Sequence, residues 1–401
     1  MNPARWVSDV LAVRRMAVDV GKVVTTYAHR DPSSLVDVHA LESADLAPFV
    51  RWLDGNGKDP LDYAVETAAK HEITLFGERH WLHDNLAFFN SIIYDLYHRA
   101  GVTCVAMEAC VPEDNARLAR LVAADPFDRK LALEIARNGD SWKNWGWKEY
   151  WDVFEAVWRV NQALPAGARK MRVVGMGIKF DGPSLGLSLG KSMPAGPAWE
   201  KLRLLGLVGD LAKAGMADGL YAANIARETI EKGERGVVLV GFAHASINQL
   251  WPAGVGTELR AEWARTGVML HEKYGDRVFS IRFHNEDDIM LSDAITRFIE
   301  RVASERGGRS FGCDMKGSPF GVLRDSSAAD FQLQTGLCLS DIAAGYIYLK
   351  PIAEQKRCEW LNGYISEDMF AENRYYYEVK TGKSLHSPEE ADQAFSAYTG
   401  W

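Results

Sequence analysis

From residue 61 onward the hydrophobic pattern alternates between a helical period and short apolar runs. Residues 61–70 predict a short helix after Asp59-Pro60, and Ile73-Thr74-Leu75-Phe76 predicts a short strand that Gly77 breaks. Leu86, Phe89, Ile92, Ile93, Leu96 and Tyr97 recur at helical spacing, with Asp84 as N-cap and Gly101 as the stop. Val102 to Met107 predicts the next strand, and Glu108 follows at once. Strand, helix and strand joined this tightly form a βαβ unit, which implies parallel strands. The rhythm returns with a helix from Trp147 to Ala163 before the strand Met171 to Met176. It returns again with a helix from Leu220 to Glu231 before the strand Val237 to Val240. Val278 to Phe283 and Tyr346 to Leu349 predict two later strands.

The fold class that follows is α/β: a central, mainly parallel sheet flanked by helices, with helical insertions. Residues 1–60 predict an N-terminal helical extension. Residues 61–351 predict the α/β catalytic domain, with insertions at 110–145 and 178–220. Residues 352–401 predict a polar C-terminal tail packed on that domain. The Gly-, Ser- and Pro-rich stretch 178–200 predicts a mobile loop over a site.

Composition narrows the class. The chain has 401 residues, 47% hydrophobic and 25% charged, enough to bury a core without disulfides. Its net charge is −8 and its basic residues form no run, which argues against nucleic acid as a partner. The five cysteines are odd in number and form no Cys-x-x-Cys pair, so reduced structural thiols are expected. Arg14 and Arg15 interrupt the N-terminal apolar residues, and no apolar run reaches spanning length. A cytoplasmic protein with no membrane span and a small-molecule substrate is the expectation; oligomeric state is not legible.

The chemistry lies at strand ends. Gly77-Glu78-Arg79-His80 and Gly241-Phe242-Ala243-His244 each follow a strand, as does Glu108. In a parallel sheet these carboxyl ends share one edge, where ligands of open α/β sheets bind. Glu78, His80, Glu108 and His244 are therefore the candidate catalytic residues of a hydrolase. His80 or His244 takes a proton from water, and the carboxylates orient the imidazoles or raise one another's pKa. The same four residues suit a divalent metal with an open position, so metal-bound and metal-free versions both stand.

Arg79, His83, Trp142, Trp145 and Asp181 are candidate substrate-binding residues. Arg79 suits an anionic group, and Trp142 and Trp145 suit an apolar pocket. Trp147, Trp151 and Trp158 sit at helical spacing, which predicts a buried face. His83, three residues after His80, suits a capping role or ligation of metal or haem. His284 follows a strand and reaches the same edge.

The ordered series resembles the superfamily of the erythromycin esterases, the ChaN-like haem-binding lipoproteins and the Tiki/TraB-type proteins. Leu75-Phe76-Gly77-Glu78-Arg79-His80 resembles its opening motif, and Met107-Glu108-Ala109 the Glu ending its second strand. Trp147-Lys148-Glu149, Trp158-Arg159-Val160-Asn161 and Val173-Val174-Gly175 are similar to an erythromycin esterase run. Tyr221-Ala222-Ala223-Asn224-Ile225, leading to Val240-Gly241-Phe242-Ala243-His244-Ala245, resembles its second histidine segment. Across residues 60–350 the resemblance implies a parallel-sheet α/β fold. It also implies a histidine-based hydrolytic site of Glu78, His80, Glu108 and His244. The hydrolase it implies cleaves an ester or lactone, or less readily an amide; haem binding and Tiki-type metal-dependent peptidase activity are its alternatives. The spacing departs from the erythromycin esterases, which have one more residue between Glu and His. Their later Arg is here Phe89, and Gly175-Met176-Gly177 replaces their Gly-x-Asp, with Asp181 four residues on. His83-Asp84-Asn85 resembles the ChaN side, where a histidine holds haem.

Overall fold

A computed structural model describes residues 3–17, 31–41, 46–140, 145–179, 217–247, 264–286, 293–326 and 337–397. Among the described residues nine strands run in chain order: β1 (Val36–Asp37), β2 (Ile73–Glu78), β3 (Cys104–Met107), β4 (Arg172–Gly175), β5 (Gly236–Gly241), β6 (Val278–Phe283), β7 (Phe311–Asp314), β8 (Leu323–Arg324) and β9 (Gly345–Tyr348). Seven of them make the main sheet in the order β4-β3-β5-β2-β6-β9-β7, and β1 pairs with β8 separately. Every pairing in the main sheet is parallel except β7 with β9. The α/β class with a mainly parallel sheet is therefore what the chain forms.

Strands β2, β3 and β5 are buried on both faces, as parallel strands covered by helices must be. Ile73, Leu75, Val238 and Val240 pack on one side, with the helices Ala217–Glu228 and Thr266–Tyr274. Phe76, Val237 and Leu239 pack on the other, with His83–His98 and Lys148–Ala163. This division follows from alternate side chains leaving opposite faces of a strand.

Several expected boundaries shift. Gly77 does not break β2; the strand continues to Glu78 because Gly77 pairs with Val240 on one side and Arg282 on the other. Asp84 does not cap the next helix, which starts at His83 with Leu82 as N-cap. Asp84 instead accepts the Lys356 backbone N–H (2.6 Å) and pairs with Lys350 (2.5 Å). The antiparallel edge strand β7 is unexpected; four residues, Phe311-Gly312-Cys313-Asp314, hold too little pattern to announce it. The segment after 352 is less polar in effect than its composition suggests. Its helices Glu367–Thr381 and Pro388–Ser396 bury Phe370, Tyr377 and Phe395 in the main core. Trp147 and Trp151 are buried as their spacing predicts, with Trp158 half-buried. All five cysteines are buried, and none forms a disulfide. Among the described residues no helix is long and apolar enough to cross a membrane. The stretch 180–200, within the loop expected over the site, lies outside the described residues.

Candidate active site

The strand order explains how distant residues meet. β3, β5 and β2 are neighbours, and Glu78 lies in register with Gly241. Their carboxyl ends therefore deliver Glu108, the Gly241–His244 turn and the Glu78–His80 turn side by side. The connections diverge here: β3 leads outward to β4, while its neighbour β5 leads the other way, across β2, to β6. Such a switch opens a crevice at the carboxyl edge.

Glu78 is buried, and its Oε1 accepts from His80 Nδ1 (2.5 Å) and from the Tyr150 hydroxyl (2.9 Å). Its Oε2 has no hydrogen-bond partner among the described residues. Burial, then the Glu78 charge, holds the Tyr150 phenol far above its usual range, so its hydroxyl stays a donor. The His80 side chain is 30% exposed, recessed among Trp81, Trp145 and Gly241. Burial works against its charge, but the Glu78 carboxylate, with help from Glu108, raises the imidazole to about 9. His80 is therefore an imidazolium at neutral pH. A raised pKa adds stability in full below the ordinary value of 6.5 and loses it as pH rises through about 9. Thermal melts of wild type and His80→Gln should therefore differ most near neutral and mildly acid pH and converge above about pH 9. A gap independent of pH would show that the Glu78 pair does not hold that proton.

Glu108 sits between the two motifs. Its Oε2 accepts the Gly241 backbone N–H (2.8 Å), and its Oε1 lies 3.5 Å from His244 Nε2. His80 reaches the same place: a Cβ on Gly241 would lie 2.8 Å from His80 Nε2 and 3.5 Å from Glu108 Oε2. His244 Nδ1 is 2.7 Å from Asp218 Oδ1. Asp218 also accepts from Arg265 (3.0 Å) and the Thr266 N–H (2.8 Å). Burial opposes the charge on Asp218, yet His244 and Arg265 hold it well below the usual carboxylate range. An ionised carboxylate only accepts, so His244 carries its proton on Nδ1 and turns Nε2 toward Glu108. A depressed pKa adds stability above the ordinary carboxylate value, and that contribution is lost as pH falls. The stability advantage of wild type over Asp218→Asn should accordingly shrink below about pH 4, which acid titration followed by circular dichroism would measure.

The structure thus brings Glu78, His80, Glu108 and His244 to one edge with the expected Trp145 beside them, and adds Asp218 and Tyr150. Asp218 was not legible because it opens the Ala217–Glu228 helix, with no motif around it. Tyr150 was hidden by its place in a helix read as core. Trp145 is buried and meets the His80 ring edge-on at 5.0 Å between centroids. Arg79 makes no side-chain hydrogen bond or ion pair with a described residue, while its backbone N–H is held by Asn85. His83 pairs with Glu149 (2.6 Å) and not with the Glu108 group. His284 is buried against Tyr346 (2.8 Å), and burial lowers its pKa. Trp142 and Asp181 lie outside the described residues. No group of three or more His, Cys, Asp or Glu among the described residues converges to hold a metal. His80 Nδ1 pairs with Glu78 and His244 Nδ1 with Asp218.

No family model matches the chain, and no curated protein matches it. Solved structures do. A succinoglycan biosynthesis protein is similar at 9% identity and TM-score 0.49, covering 77% of this chain and 97% of its own. A mutant of the erythromycin esterase EreC in its open conformation is similar at 11% identity and TM-score 0.47, covering 74% and 94%. ChaN of Campylobacter jejuni, described with cofacially bound haem, is similar at 14% identity and TM-score 0.28, covering 55% and 84%. The erythromycin esterase and ChaN groups named from the motifs are thus among the chain's structural neighbours.

Proposed function

We propose that the chain is a hydrolase that cleaves an ester or lactone of a small molecule with histidine-activated water. The observation that carries this reading is the pair of histidine–carboxylate dyads, His80–Glu78 and His244–Asp218, meeting at Glu108. The two imidazoles have different duties. His244, oriented by Asp218, takes a proton from water through Nε2, and the resulting hydroxide adds to the carbonyl carbon. His80, already an imidazolium, faces the negative charge that develops and gives its proton to the leaving alkoxide as the carbon–oxygen bond breaks. Glu108 lies where it can hold the attacking water and balance the charge between the rings. Amides are poorer substrates because their nitrogen leaves less readily.

The test is an activity screen of wild type and His80→Gln against simple aryl esters and lactones across pH. Wild type should cleave, with kcat/KM falling above about pH 9 as His80 loses its proton. His80→Gln should lose most of the activity. Cleavage that survives in His80→Gln, or no cleavage of any ester or lactone by wild type, sinks the reading.

A further inference from the structure

Trp81, next to His80, has φ +63°, a left-handed conformation that a bulky residue adopts only under constraint. One constraint is inside the domain: the Trp81 N–H donates to the Tyr150 hydroxyl (3.2 Å). The other comes from far along the chain, where the Cys358 N–H donates to the Trp81 carbonyl (2.8 Å). The contact is part of a longer seam. The His83 N–H donates to the Lys356 carbonyl (2.8 Å), and the Glu359 N–H donates to the Glu149 carboxylate (3.1 Å). The Lys148 N–H donates to the Glu359 carbonyl and the Leu361 N–H to the Gly146 carbonyl, both at 2.8 Å. Residues 356–361 thus bind the His80 turn with one stretch and the Trp145–Lys148 segment with the next.

Two buried carboxylates fix this segment. Asp392 accepts from Trp360 Nε1 (2.8 Å), the Gly363 N–H (2.7 Å) and the Ile365 N–H (3.2 Å). Asp140 accepts from the Tyr364 hydroxyl (2.9 Å) and the Trp145 N–H (3.3 Å), tying the segment to the residue whose ring meets His80. Gly146 leaves room for it: a Cβ there would lie 2.4 Å from the Trp360 ring.

We propose that Asp392 and Asp140 are positioning residues for His80, acting through residues 356–365, which lock the Trp81 turn and the Trp145 ring around its imidazole. The consequence for catalysis rests on the hydrolase reading; the consequence for His80 does not. Asp392 accepts through both oxygens, so Asp392→Asn keeps size but must place a donor against at least one of its N–H partners. Asp140 accepts from Tyr364 and Trp145 through Oδ2 alone, which an asparagine oxygen could replace, so the variant there is Asp140→Ala, which removes the acceptor from both. In the folded variants kcat for ester cleavage should fall about 10- to 100-fold, since small misplacements of a reacting group cost this much, while KM changes little. The downfield Nδ1–H proton resonance of His80, identified by its loss in His80→Gln, should shift or broaden in both variants. Should one variant fail to fold, the other carries the test. Lowered melting temperature with an unchanged His80 resonance and unchanged kcat would reduce the segment to a structural role and overturn the proposal. If wild type cleaves no ester, the hydrolase reading falls, and the resonance alone still decides whether the segment seats His80.

Discussion

If the protein acts as the proposed hydrolase, replacing His244 with Ala should lower kcat/KM for ester cleavage by roughly 10²- to 10⁴-fold, the span that one positioned general base supplies. The expectation follows from where the ring's nitrogens go. Nδ1 is committed to Asp218, itself fixed by Arg265 and the Thr266 N–H, so the ring cannot turn without breaking an ionic cluster. Nε2 lies 3.5 Å from Glu108, too far for a good hydrogen bond. Removing the ring leaves Asp218 with its Arg265 and Thr266 partners, so the fold should survive while the chemistry goes. Asp218→Asn tests the same geometry more gently. An amide can donate to Nδ1 and turn the ring to the wrong tautomer, so kcat falls with little change in KM. Steady-state kinetics on variants checked by circular dichroism measure both. A His244→Ala protein within about threefold of wild type, against the 10²-fold minimum expected of a general base, would remove His244 from the mechanism.

Gly241→Ala is the second large effect, and its origin is steric. Gly241 has φ −53° and ψ 137°, which alanine adopts without strain. The added Cβ would lie 2.6 Å from His80 Cε1 and 2.8 Å from Nε2, so the imidazole must move. A displacement on the order of 1 Å costs about 10²-fold in rate, and the melting temperature falls only as far as the His80–Glu78 pair is loosened, because the atoms that yield belong to one side chain. Gly77→Ala contrasts with it. There the Cβ would meet the Phe242 Cα and Ala245 Cβ at 3.0 Å, and a short helix must shift, so stability falls as well. If Gly241→Ala were as active as wild type, His80 would have room that this geometry denies it.

These contacts give the two Gly-x-x-His motifs a physical meaning. Each glycine makes room for the other motif: Gly241 for the ring of His80, and Gly77 for the turn that carries His244. The spacing is visible in the sequence, but the reason for it is an approach between chain segments more than 160 positions apart. The histidines themselves were legible because each follows an apolar strand, and strand ends in a parallel sheet share an edge. Their partners were not. Asp218 and Tyr150 occupy helices whose pattern reports only which face is buried. His83 shows the opposite error: its sequence neighbour is His80, yet its partner is Glu149 on another helix.

The amino-acid sequence by itself determined the alternation of helix and strand, the parallel class of the sheet, and the placement of Glu78, His80, Glu108 and His244 at strand ends. All of these depend on local periodicity and on turn residues, which act over a few positions. Only the tertiary structure decided the strand order that sets β5 between β3 and β2, the carboxylate each imidazole keeps, and the charge on His80. It also decided that the last fifty residues reach back to the His80 turn. Those outcomes depend on distances and on desolvation, and both come into being only when segments remote in the chain pack together.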